Sequence, residues 1–248
     1  MTILTAGIII IGDEVLSGRT KDVNSNYIAN KLIKAGIQLD EISVIHDSSE
    51  VIIEKVLEFH EKYTYVFTTG GIGPTHDDIT SKSIAIAFNQ KYCFHSEAFK
   101  ILEKYYPKGE FNLGRQKMAK MPEKASLILN PLTAAPGFVL ENIYVLPGVP
   151  QIMEKMLLNV LETIKKGAPK KILTINTNLY ESKIAQELGD IQKQFPECSI
   201  GSYPYFNYIS KIGGVNIVIS SWSLNDLNPI LVIIKKMIKS FGGKYSII

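Results

Sequence analysis

The chain has 248 residues, 46% of them apolar and 21% charged, which excludes intrinsic disorder and exceeds one average domain of about 150 residues. Roughly 70–75% of the extended-chain surface can be buried at this size, so no covalent staple is needed, and two distant cysteines, Cys93 and Cys198, exclude a disulfide framework or a four-cysteine zinc site. A net charge of +3 is too mild to predict nucleic-acid binding.

Ala6–Ile11 is a short β-branched run that reads as a strand buried on both faces. No basic residue precedes it and it runs straight into Gly12-Asp13-Glu14, so it does not read as a signal peptide. Asn24 to Ala35 places Ile28, Leu32 and Ala35 at helical spacing, with Gly36 as the stop. Leu39–Ile45 reads as a second strand. Asp47 with Glu50 resembles a capping box for a helix carrying Val51, Ile52, Val56 and Phe59. Tyr65–Thr68 is a third strand, and a helix is expected from about Asp77 to Phe88. The β-α-β-α-β-α alternation predicts an α/β fold, a mostly parallel three-layer sheet with helices on both faces and ligands at the carboxyl ends of its strands.

Ser96–Tyr105 and Asn112–Met118 read as helices, and Leu127–Leu129, Phe138–Leu140 and Ile143–Leu146 as strands. Pro147-Gly148-Val149-Pro150 opens a helix running to about Lys166. The lysine-bracketed stretch Lys165–Lys171 reads as a linker, dividing the chain into residues 1–167 and 168–248. Beyond it, strands Ile172–Asn176, Ser199–Tyr205 and Val215–Ser221 and helices Glu181–Phe195 and Asn225–Phe241 predict a small α+β domain. That tail carries nine basic and five acidic residues, net +4, against −1 for the remainder. No apolar run reaches the roughly 20 residues that span a bilayer, so a cytoplasmic protein without a membrane partner is expected.

The strongest constellation is Thr68-Thr69-Gly70-Gly71-Ile72-Gly73-Pro74-Thr75-His76-Asp77-Asp78-Ile79-Thr80. A strand end, a glycine-rich loop and a helix start make an anion site, because glycines admit a phosphate close to free N–H groups at a helix terminus. It lacks the Gly-Lys-Ser/Thr of a Walker loop. Asp77 and Asp78 admit three readings: helix N-cap, general base, or ligands of a hard divalent ion bridging carboxylates and substrate phosphates. A second acidic loop, Gly12 to Asn24, offers Asp13, Glu14, Ser17, Asp22 and Asn24, the last of which equally reads as an N-cap. Pro147–Pro150 is a third, weaker turn. His46, His60 and His95 read as surface or strand-end residues, and the cysteines as small buried hydrophobes. Trp222 and the aromatics of Tyr203–Tyr208 read as core or interface residues.

Together these segments resemble the molybdopterin-binding (MoaB/MogA/MoeA-like) domain family, most closely the N-terminal region of CinA-type proteins. The match rests on Gly12–Gly18 with Asp22 and Asn24, on Thr68–Thr80, and on Leu146–Pro150, and it covers residues 4–166. The tail resembles the small KH-type domain of that group but has Gly213-Gly214 in place of a Gly-x-x-Gly loop, so nucleic-acid binding does not transfer. Thr133 and Ala134 stand where the third loop usually has glycine and threonine, and Ile152 stands where a glutamate is usual. The chain stops short of the C-terminal amidase of such proteins, so nicotinamide-mononucleotide deamidation is not expected.

The resemblance implies a nucleotide or pterin ligand held by Gly12, Ser17, Asn24, Thr69, Gly70, Gly71, Gly73, Pro74, Thr75, Thr80, Pro136, Gly137, Pro147, Gly148 and Pro150. The leading expectation is a metal-dependent nucleotide pyrophosphatase of the ADP-ribose or FAD class. Asp77, Asp78 and Glu14 would be catalytic, and Asp13, Asp77 and Asp78 would hold Mg²⁺, Mn²⁺ or Co²⁺. The alternatives are a molybdopterin-binding or adenylyl-transferring protein and a non-catalytic nucleotide sensor. A homo-oligomer, dimer or trimer, is implied by the resemblance alone.

Overall fold

A computed structural model describes residues 3–208, 212–223 and 226–248. The chain divides into two compact units, residues 1–167 and 168–248. The first contains β1 (Leu4–Ile11), α1 (Asp13–Leu16), α2 (Asn24–Lys34), β2 (Ile37–Ile45), α3 (Ser49–Lys62), β3 (Tyr65–Thr69) and α4 (Thr80–Ala87). It continues through β4 (Tyr92–Phe94), α5 (Ser96–Tyr105), α6 (Leu113–Lys117), β5 (Lys120–Pro122), β6 (Ser126–Ile128), β7 (Gly137–Leu140), β8 (Ile143–Leu146) and α7 (Pro150–Thr163).

Six strands form a mixed sheet in the order β2-β1-β3-β8-β7-β6. The four at the β2 side are parallel, and β7 runs antiparallel to both neighbours. Strand β1 shows why helices must cover both faces. Ile9 and Ile11 pack with Ile52, Val56 and Phe59 of α3, whereas Ala6, Ile8 and Ile10 pack with Ile28 and Leu32 of α2 and Met156 and Leu157 of α7. The period of two along the strand sends alternate side chains into two separate cores, and every residue from Ala6 to Ile11 is buried.

The expected α/β class with helices on both faces is the observed one. The pair β4–β5, the one-turn α1 and the last strand were not foreseen, because three- or four-residue elements carry too few positions to show a period. Helix α4 begins at Thr80, not Asp77, and Ile79 occupies its N-cap without a side-chain bond, so the N-cap reading of Asp77 and Asp78 falls. Asn24 is likewise not a cap. It is the first residue of α2, and Asp22 Oδ1 instead accepts from the amides of Asn24 and Ser25. Asp47 is not the cap of α3 either, since Ser48 holds that position.

The second unit contains β9 (Lys171–Thr177), α8 (Glu181–Gln194), β10 (Ser199–Asn207), β11 (Ile212–Ser221), α9 (Asn228–Ser240) and β12 (Tyr245–Ile247). Asn225, the expected start of the last helix, lies outside the described residues. The antiparallel sheet β10-β11-β9-β12 buries Ile175, Val215, Ile217 and Ile219 against Ile184, Leu188, Ile230 and Ile234 of the two helices. Gly213 and Gly214 lie inside β11, not in a loop. Of the aromatics expected in the core or an interface, Tyr203 on the edge strand β10 is 59% exposed, because side chains on its face away from α8 have no covering layer, and Tyr208, just past the end of β10, is 85% exposed. Cys198 is buried, and burial raises its thiol pKa, whereas Cys93 is half-buried. No helix among the described residues is long and apolar enough to cross a membrane.

Phe67, fully buried on β3 and stacked on Tyr144 at 5.3 Å between ring centroids, anchors the centre of the larger sheet. Phe67→Ala is expected to cost the first unit about 3–5 kcal/mol, read from chemical denaturation.

Candidate functional site

The carboxyl ends of β1, β2, β3 and β8 share one edge of the sheet, and β6 ends there too because it is twice reversed through β7. The loops after these five strands enclose a cavity of about 540 Å³. It sits where β1 connects outward to β2 on one side and β3 lies on the other, the switch point at which open α/β sheets leave a crevice.

The glycine loop forms its floor. Gly70 has φ +105°, its amide donates to the Leu146 carbonyl at 3.2 Å, and a Cβ there would lie 2.1 Å from the carbonyl oxygen of Ile11. Gly71 has φ +68° and sits on Thr80, whose amide donates to the Gly71 carbonyl at 3.0 Å. Glycine is required at both positions by conformation and by contact. The amides of Gly71, Ile72 and Gly73 have no acceptor among the described residues, which leaves a run of donors for an anion. Asp78 closes the loop beyond them: its Oδ2 accepts from the Thr75 amide at 2.8 Å and the Thr75 hydroxyl at 2.5 Å. The same Thr75, with its own backbone, holds the Asp77 carboxyl below the usual carboxylate range.

Glu14, Asp47, Asp77 and Asp78 all line the cavity, and no lysine, arginine or histidine is among its lining residues. Asp47 receives the Asp13 amide on Oδ2 at 2.9 Å. Burial, and then the negative charges of Asp13, Glu14 and Asp77, push its pKa above the ordinary 3.8. The site is therefore an acidic crevice with a run of amide donors on its floor. Among the described residues no three histidine, cysteine or carboxylate groups form a ready ion cage. The donors are all hard oxygens, however, which suits a divalent ion completed by substrate phosphates and water.

Of the expected site residues, Glu14, Gly70, Gly71, Gly73, Pro74, Asp77, Asp78, Pro136, Pro147 and Gly148 line this cavity. Thr69, Asn24 and Pro150 line a small adjoining one of about 70 Å³, which also includes Gly70 and Gly148. Asn24 Nδ2 donates to the Gly148 carbonyl at 2.8 Å and ties the first loop to the last, while its Oδ1 has no partner among the described residues. Gly12 lies between β1 and α1, with the Glu14 carboxylate 2.7 Å from where its Cβ would be. Thr80 is buried beneath Gly71, and Gly137 belongs to β7, its Cα packed against the Val145 carbonyl. Ser17 and Thr75 are exposed and line neither cavity. Asp13 is turned outward to His46, with Oδ1 to Nδ1 at 2.6 Å. His95 caps α5 with its ring.

Sequence reasoning missed Asp47, Asn130, Met118 and Ile152. Asp47 had a usable signal, since it follows the second of the parallel strands, but its spacing to Glu50 drew it into a capping pattern. Asn130 organises the loop between β6 and β7. Its Oδ1 accepts from the amides of Leu132 and Thr133, and its Nδ2 donates to Thr133 Oγ1 and the Ala135 carbonyl.

The comparisons agree with this geometry. Residues 7–166 match the family described as "Probable molybdopterin binding domain", and residues 171–241 match "FAD synthase, middle domain". A protein of Archaeoglobus fulgidus is 36% identical over 202 residues, covering 82% of this chain and 86% of that protein. A protein named as a probable FAD synthase of Caenorhabditis elegans is 33% identical over 81% of this chain, which spans only 44% of that relative. The solved structure of the protein CinA from Thermoplasma acidophilum superposes with a TM-score of 0.60 at 33% identity, covering 64% of this chain and 95% of that one.

Two outcomes test the site's physics. Gly70→Ala should cost about 3 kcal/mol or more in thermal or chemical unfolding, because strained φ and the Ile11 carbonyl both oppose a Cβ. Asp47→Asn should raise the unfolding midpoint of the metal-free protein at pH 7. A carboxyl whose folded pKa is raised penalises the folded state above that pKa, so the gain should shrink as pH falls through it and vanish below 3.8. By sequence, fold and arrangement of loops, the chain belongs to the molybdopterin-binding domain family.

Proposed function

We propose that this protein is a divalent-metal-dependent hydrolase of nucleotide pyrophosphate bonds, of the ADP-ribose or FAD class. The observation that carries the reading is the pairing, in one crevice, of a run of unpaired amides with four carboxylates and no cationic side chain. An anionic ligand is repelled by such a wall unless a cation accompanies it. Asp77 with one acidic neighbour in the crevice would hold that ion, and substrate phosphates and water would complete its coordination. When bound, it would neutralise phosphate charge and polarise the phosphoryl group.

The protein's own part is binding and orientation. The amides of Gly71, Ile72 and Gly73 hold phosphate oxygens, and Asp78 keeps the loop shaped through Thr75. Water attacks one phosphorus, a new P–O bond forms and the bridging P–O bond breaks. The water proton passes to a carboxylate of the crevice, and two phosphate-bearing products leave. No serine, cysteine or lysine lines the cavity, so the carboxylates and water carry the chemistry among the described residues. The names of the FAD synthase relatives and the family match to the tail support a ligand of the nucleotide class. The description of the larger family favours one second reading, capture of a pterin without hydrolysis.

Incubation with ADP-ribose, FAD or NADH, each with Mg²⁺, Mn²⁺ or Co²⁺, should release AMP from at least one pair. Asp77→Asn should lower kcat about 100-fold or more with little change in melting temperature, since Asp77 is exposed. If no pair yields AMP, the hydrolase reading fails. Molybdopterin binding at micromolar concentration in that same protein would then support the second.

A further inference from the structure

The crevice has a second character that phosphate binding leaves unused. Beside its acids it is lined by Ile72, Met118, Val149 and Ile152, and by Pro74 and Pro136. Two of these come from opposite sides of the sheet. Met118 ends α6 and packs on the core shared by α3, α4 and α5, whereas Ile152, in the first turn of α7, packs on the core shared by α2 and α7. Both are half-buried, held from behind and open to the cavity in front.

The Met118 side is anchored to the glycine loop. Lys117 Nζ donates to the Thr75 carbonyl, and Gly114 lies against the carbonyl of Pro74. The polar side chains at this end offer little to sugar hydroxyl groups. Asn130 has both donors and its acceptor engaged within its own loop, and the Thr133 hydroxyl accepts from it at 2.7 Å, which leaves the Thr133 O–H to donate. A sugar placed between Met118 and Ile152 would desolvate hydroxyl groups that this one donor cannot satisfy, which is unfavourable. A flat aromatic ring presents two apolar faces and matches two apolar walls, and a thioether is well suited to contact such a face.

We propose that Met118 and Ile152 form a slot that grips the heteroaromatic ring of the ligand, so that the site selects a base-bearing phosphate over a sugar phosphate or inorganic pyrophosphate. This rests on the phosphate reading above and adds its specificity determinants. The two residues bind and position the ring and take no part in the chemistry.

The test is calorimetric titration of the full chain, in Mg²⁺, with AMP, ribose 5-phosphate and pyrophosphate. AMP and ribose 5-phosphate differ only by the base. AMP should bind about tenfold or more tightly than ribose 5-phosphate. Met118→Ala and Ile152→Ala should each weaken AMP about 5- to 10-fold while leaving pyrophosphate within about twofold, and Met118→Leu should restore AMP binding. Equal affinity for AMP and ribose 5-phosphate overturns the slot, as does an equal loss of pyrophosphate and AMP in the alanine variants. If AMP binds and responds to the variants but pyrophosphate does not bind, the slot stands and the phosphate cradle fails. If none of the three binds, both fall.

Discussion

The whole crevice depends on one close approach, that of the Gly70 Cα to the backbone of Ile11. Strands β1 and β3 end side by side, and the chain leaving β3 must turn across the end of β1 rather than continue over it. A side chain at position 70 would occupy the space of the Ile11 carbonyl oxygen. The turn also brings the Gly70 amide to Leu146, so three neighbouring strands terminate in register. Everything downstream follows. Gly71 settles on Thr80, α4 starts three residues later than Asp77, and both aspartates are left on a loop with their carboxylates available to the cavity.

Electrostatics then restricts what that loop can hold. A run of backbone amides attracts anions, but Glu14, Asp47, Asp77 and Asp78 surround it and repel them. The raised pKa of Asp47 is a record of that conflict, because its carboxylate is disfavoured by burial and by three neighbours of like charge. A polypeptide that only needed a tight strand-to-helix turn would gain nothing from this arrangement. On the proposed function it becomes favourable, because a cation and a phosphate that enter together each compensate a charge that the protein leaves uncompensated.

The sequence made some of this legible and hid the rest for identifiable reasons. The buried strands were readable because Ala6–Ile11 and Tyr65–Phe67 send side chains into two cores and so read as short runs without charged residues. The glycine loop was readable because glycine and paired aspartates are unusual together. Local rules failed where another partner outcompeted them. Asn24 and Asp78 have the residue types of helix caps, yet Asn24 reaches Gly148, 124 positions away, and Asp78 turns back to Thr75, three residues before it, within its own loop. Met118 gave no signal at all, because a half-buried apolar residue at helical spacing looks the same whether it faces a core or a cavity, and Ile152 stood out only by the resemblance, where a glutamate is usual. Tyr203 differs from a core reading in the opposite sense: a strand rich in aromatics suggests burial, but an edge strand has one neighbour fewer and this one keeps Tyr203 in solvent.

The loop between β6 and β7 shows how rigidity at the crevice wall is maintained. Ala134 has φ +63°, a conformation that costs a non-glycine residue on the order of 1–3 kcal/mol unless its surroundings impose it. Four hydrogen bonds converging on Asn130 impose it here, two from amides to its oxygen and two from its nitrogen to Thr133 and Ala135. The alternation of the chain then turns Thr133 and Ala135 to the crevice and Leu132 and Ala134 to the opposite side. A wall built this way keeps its shape before any ligand arrives, so little conformational entropy remains to be lost on binding. The strained Ala134 is thus the counterpart of the unstrained turn at Gly70: both fix the backbone in folding to hold open a space at the crevice wall.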